Sequence, residues 1–285
     1  MRFIGHTRGL VAYSWTLGAA FLAGACGGGQ IYEFQPTDAP LRYTLSSEGG
    51  NDIDTPAGTQ SANYSSEAAL TLEFGNPGDE GTPFTVVIES LVLKTGGDFG
   101  GTTMDLTDQI GGKPFRGVMA PDGSLTFTEL PEFAKDNLST SDMQRVASAL
   151  LFPLPPGGDL AVGSWDHRVT LPMGGGLKGE SVYEGTMSMA GDTVWNEIPA
   201  TLLVSEGVVH MEGTGQPQGA PAEIELTNEV DARIVYVWDA KRGVLLAVSS
   251  SGEGGGDIST MGFSMPMTVH TNLDIQLASS AGESE

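Results

Sequence analysis

The feature that most constrains this chain is a period-two alternation of apolar and polar residues, repeated from Leu41 to Leu277. Its clearest stretch is the last. Phe263, Met265, Met267, Val269, Thr271, Leu273, Ile275 and Leu277 share one parity, while Ser264, Pro266, Thr268, His270, Asn272, Asp274 and Gln276 hold the other. Successive side chains of a strand point to opposite faces, so this pattern makes one apolar face and one wet face. At about 3.3 Å per residue such a strand spans on the order of 50 Å, well beyond the usual length. The pattern therefore predicts either one long curved strand or a break near Pro266, which has no N–H to give a ladder.

The same alternation recurs in Leu70, Leu72 and Phe74, and in Ile224 and Leu226 between Glu223, Glu225 and Thr227. Phe84 to Leu93 is apolar on both parities and predicts a central strand covered on both faces. Arg233–Trp238 and Val244–Val248 flank a turn at Asp239–Gly243. Val118-Met119 and Leu125–Phe127 flank Pro121-Asp122-Gly123, so both pairs predict hairpins. One segment changes period: Met143, Val146, Ala147, Leu150 and Leu151 fall on one helical face, Ser141 and Gln144 make a candidate capping box, and Pro153 closes the run. The predicted fold is mainly β. It is a curved antiparallel sheet or half-barrel with a single amphipathic helix over 141–152. That helix joins two β-rich stretches, 41–130 and 160–278, within a domain covering 41–278, and 279–285 reads as a disordered tail.

The first 25 residues have a different logic. Arg2 and Arg8 precede an apolar run from Leu10 to Leu22, and Ala23, Gly24 and Ala25 close it before Cys26. The run is short of the ~20 apolar residues a spanning helix needs, so it reads as a cleaved export signal. Leu22-Ala23-Gly24-Ala25-Cys26 resembles the lipobox of bacterial lipoproteins. That resemblance implies diacylglyceryl transfer to the Cys26 thiol and cleavage before it. With Gly27 next, it also implies outer-membrane delivery in a Gram-negative host. Cys26 is the one cysteine in the chain, so no intramolecular disulfide can form. The polar stretch from Gly27 to Pro40 reads as a tether, with an r.m.s. reach of roughly 20 Å if flexible. The bilayer, reached through acylated Cys26, is thus the first expected partner.

Charge narrows the remaining partners. Without Arg2 and Arg8, the 13 basic residues become 11 against 36 acidic ones, a net charge of −25. Nucleic acid binding rests on neutralising phosphates with Lys and Arg, so a nucleic acid partner is excluded, as is docking on anionic head groups. Candidate chemistry is sparse. Asp166-His167 lies near Ser164, but neighbours on a strand face opposite ways and no G-x-S-x-G elbow occurs. His167, His210 and His270 are far apart and lack zinc spacing. Met187, Met189, Met261, Met265 and Met267 resemble the methionine motifs of periplasmic copper proteins, yet Met265 and Met267 share the parity of Phe263 and Leu273 that core filling demands. Asn51-Asp52-Ile53-Asp54 and Asp98 to Asp105 read as acidic loops without calcium-loop spacing. No catalytic, metal or cofactor residue is assigned; Cys26 is the one expected site.

The layout resembles uncharacterised β-rich bacterial lipoproteins and, more distantly, periplasmic carriers of lipoproteins and lipids with unclosed barrels. That resemblance implies a non-enzymatic module sheltering an apolar or lipid-like ligand. The alternative expectation is an interaction lipoprotein that docks an envelope protein.

Overall fold

The structure is a computed structural model. It describes residues 32–98, 100–120, 123–132, 140–159, 162–174, 176–216 and 222–278, with the side chains of 140–142 excepted. Cys26 and the tail from 279 lie outside the described residues. Among the described residues twelve strands form one antiparallel sheet: β1 (Leu41–Thr55), β2 (Gly58–Phe74), β3 (Thr82–Gly97), β4 (Thr102–Asp105), β5 (Pro114–Met119), β6 (Leu125–Glu129), β7 (Ser164–Pro172), β8 (Leu177–Trp195), β9 (Ile198–Gly215), β10 (Ile224–Asp239), β11 (Val244–Thr260) and β12 (Phe263–Leu277). Across the sheet the order is β6-β5-β3-β2-β1-β12-β11-β10-β9-β8-β7, with β4 paired beside β3. The two β-rich stretches therefore meet in the middle, where Tyr43 opposes Leu277 and Ile53 opposes Met267.

The alternation translates directly into burial. Along β12, Ile275 is fully buried, Leu273, Val269 and Met265 are half-buried, and their even-numbered neighbours are exposed. The strand does not break at Pro266, which stands opposite Asp257 on β11. Long strands curve where extra residues are inserted, and register shifts occur at Ala69/Leu70, Met189/Gly191 and Val237/Trp238. Glycine supplies the rest of the bend. At Gly254 and Gly256 of β11, a Cβ would run into the Glu229 and Thr227 carbonyl oxygens of β10, so only a residue without one lets the backbones come so close.

Two expectations need correcting here. Phe84 to Leu93 is not covered on both faces: Phe84, Val86, Ile88 and Leu91 are buried, while Thr85, Val87 and Ser90 stay half-exposed and Glu89 exposed. Its mixed parity reflects the bulge opposite Ala69/Leu70, which shifts the inward set by one residue. Asn51–Asp54 is not a loop but part of β1, in register with Gln60–Ala62 and Thr59 of β2.

The core fills one end of the curve. Helix α2 (Thr140–Ser148) lies between β3 and β7 and buries Met143 and Ala147, and the chain after it buries Leu150, Leu151 and Phe152. The helix is shorter than the expected 141–152, because Leu150–Phe152 are buried in non-helical backbone. A second helix, α1 (Thr107–Ile110), was not anticipated; Asp105 Oδ1 accepts from the Thr107 N–H, and Ile110 is buried. One turn is too short to show a period in sequence. The stretch read as a tether also contributes: Tyr32 and Phe34 are buried in the main core. Phe34 packs 4.5 Å from Phe74 and edge-on at 5.0 Å to Trp238, and Phe152 stacks at 4.1 Å on Tyr236. Such aromatic pairs add about 1 kcal/mol each beyond their area.

Candidate ligand surface

Inward-facing positions divide the sheet into a half filled by the main core and a less filled one, where Val230, Asn228 and Met267 are buried but belong to neither core. Toward the hairpin tips the same parity continues with Ile53, Val209, Met211, Leu226, Ile258 and Val269, all half-buried. None belongs to, or packs against, either hydrophobic core. Serines and glycines stand between them, including Ser66, Gly207, Gly252, Gly254 and Gly256. The result is an apolar inner surface with few bulky side chains; α2 touches β3 and β7, and its Arg145 reaches the Pro172 carbonyl at the β8 end of β7. At the rim, Met261 and Phe263 are each 70% exposed around the β11–β12 turn. Met261 has φ of 48°, a left-handed backbone that favours glycine or asparagine. Between Asp257 and Asp274 the hairpin carries no Asp, Glu, Lys or Arg.

A buried polar network marks the border between the halves. Ser205 Oγ of β9 lies 2.9 Å from His167 Nδ1 of β7 and 2.6 Å from the Tyr183 hydroxyl of β8. The His167 and Tyr183 rings meet edge-on at 4.8 Å. Opposite His167 in register is Gly185, and beyond it Gly207, so the imidazole lies over side-chain-free backbone. Burial lowers the His167 pKa from 6.5 to about 4 and raises those of Tyr183 and Tyr236. A Ser–His contact suggests a nucleophile, but Ser205 is fully buried and its imidazole is a weak base at neutral pH. Asp166 faces the other way and is exposed. The network ties β7 to its neighbours. Sequence reading missed Ser205 and Tyr183 because their meeting with His167 depends on the register of three strands.

The other sequence candidates are dispersed. His210 lies 3.4 Å from Glu229 on the outer face, beside an open groove of about 720 Å³ that also touches Lys178, Glu180 and Glu212. His270 is exposed on β12, on the face opposite Met265 and Met267. Met187 and Met267 are buried, Met265 half-buried, and Met189 and Met261 exposed. Asp52 accepts from Ser61 Oγ at 2.5 Å and Asp54 from Thr59 Oγ1 at 2.7 Å, so both are bound to neighbouring strand hydroxyls. Among the described residues no three His, Cys, Asp or Glu side chains are grouped to hold a metal ion, and no helix is long and apolar enough to cross a membrane.

No protein-family model matches the chain, and no curated protein matches it in sequence. Among the solved structures similar to the chain are two that align over most of their length. One is a DUF1329 family protein from Desulfovibrio piger, at 8% identity, TM-score 0.17, and coverage of 86% of this chain and 89% of that one. The other is a putative outer membrane lipoprotein-sorting protein domain from Vibrio parahaemolyticus, at 8% identity, TM-score 0.14, and coverage of 84% and 87%. At these TM-scores neither protein says what this chain binds.

Proposed function

We propose that this protein is a lipid-anchored envelope module that binds an apolar, chain-like ligand on the inward face of the unfilled half of its sheet. The observation that carries this reading is the set of half-buried apolar side chains from Ile53 to Val269 that pack against neither core. Each half-buried leucine-sized side chain forgoes about 1 kcal/mol, roughly half the gain of full burial, a cost that a bound hydrocarbon chain offsets. The exposed, uncharged β11–β12 rim supports the same reading, since an apolar chain passes over it without displacing water from charges.

Acylation at Cys26 supplies the anchor. Five residues separate Cys26 from buried Tyr32, and the six steps between them span at most about 20 Å when fully extended. The filled end then stands near the bilayer and the unfilled end is free to meet ligand.

Two measurements test the two parts. Native mass spectrometry of protein from envelopes should find a released apolar molecule, and a hydrophobic fluorophore should bind the ligand-free protein; absence of both sinks the binding reading. A Cys26→Ser variant should lose membrane retention or stay unprocessed. A cleaved variant that still sediments with membranes removes the acyl anchor.

A further inference from the structure

We infer that Asn228 is the polar recognition point of the inward face, and that its ligand carries a hydrogen-bond donor, a hydroxyl or amide N–H, partway along a hydrocarbon chain. The inference rests on the proposal that the inward face binds an apolar chain. Asn228 stands on β10 and is 7% exposed. Its Oδ1 is the only buried side-chain nitrogen or oxygen without a hydrogen-bond partner among the described residues. An unmet acceptor in a buried site is costly, and native proteins hold few of them.

The surroundings say what kind of group completes it. In register with Asn228 are Met211 on β9 and Gly256 on β11, and Leu226 and Val230 flank it on the same face. None of these side chains can donate a hydrogen bond. A buried water needs two to four polar partners to be held, and the inward neighbours of Asn228 supply no other side chain to hold one, although its strand also borders the outer groove with His210 and Glu229. Gly254 and Gly256 leave two successive inward positions of β11 without side chains, so a chain lying along β11 runs beside Asn228, whose covered amide has to turn toward it to bond. An amide oxygen accepts only, so the complementary ligand donates at that point. A plain alkyl chain does not.

Methyl oleate and methyl ricinoleate are probes that differ by one hydroxyl partway along the chain. Binding of each to the purified full-length protein is read by displacement of a hydrophobic fluorophore. The hydroxylated probe should bind about tenfold more tightly. Asn228→Leu should abolish that preference while binding methyl oleate at least as well, and its Tm without ligand should rise because an unmet acceptor is gone. Equal affinities in the unaltered protein overturn the inference and leave the apolar surface standing. A Tm that stays level or falls in Asn228→Leu also overturns it, since the oxygen then has a partner in the free protein. Failure of both probes to bind removes the apolar surface and this inference with it.

Discussion

At the scale of single residues, His167 shows how a motif dismissed in sequence becomes structurally exacting once strands are paired. Asp166-His167 beside Ser164 carried no chemistry, and its true partners lie 38 and 16 residues away, at Ser205 and Tyr183. Folding holds the imidazole neutral, with a pKa of about 4 against 6.5. As pH falls, the unfolded chain takes up this proton first. The stability that depends on a neutral His167 is complete above pH 6.5, is lost as pH falls from 6.5 toward 4, and is gone below. The gap corresponds to about 3 kcal/mol. Urea unfolding at about pH 7.5 and about pH 4 should show that extra loss in the unaltered protein relative to His167→Gln. Equal losses would mean the imidazole is not buried neutral. The solitary acceptor of Asn228 was hidden from sequence for the same reason, because an asparagine among alternating strand residues looks like any exposed polar position until its face is known.

At the scale of elements, legibility followed periodicity. β12 was readable residue by residue, because eight same-parity positions leave one register of faces. The Asp239–Gly243 turn was readable from its glycine: Gly243 has φ of 66°, and Asp239 holds the turn through the N–H groups of Lys241 and Arg242. α2 was found by its apolar face but not by its end, since buried Leu150 and Leu151 continued the helical spacing after the helix had stopped. The glycines of β11 are where composition alone misleads. Ser251-Gly252-Glu253-Gly254-Gly255-Gly256 has the composition of a loop, yet it is a strand in regular register with Asn228–Arg233 of β10. Alanine at Gly256 would press into β10 and should cost about 1–3 kcal/mol by denaturant unfolding. Gly96→Ala, at a strand position with nothing within 4 Å, should change stability by no more than about 0.5 kcal/mol. Similar small effects at both would show that β10 and β11 are not so closely apposed.

At the scale of the whole molecule, sequence gave strands but not their order. No local signal says that β1 and β12 are partners, because strand pairing across more than 200 residues leaves no pattern that a window can see. That pairing is also the most expensive to close: hairpins such as β1–β2 and β10–β11 bring together near neighbours, while the central seam must find its mate across nearly the whole described chain. Pulse-labelled hydrogen exchange during refolding should therefore protect β10–β11 amides before the β1–β12 pair. Simultaneous protection would point instead to one concerted nucleus. The seam also sets a timetable for the living cell. Synthesis, and translocation under the export reading, both deliver earlier residues first, so β1 arrives long before β12, and one long edge of the β1–β2 hairpin stays without its neighbour until β12 arrives. The middle of this sheet is completed only when the chain has delivered the strands of its far side.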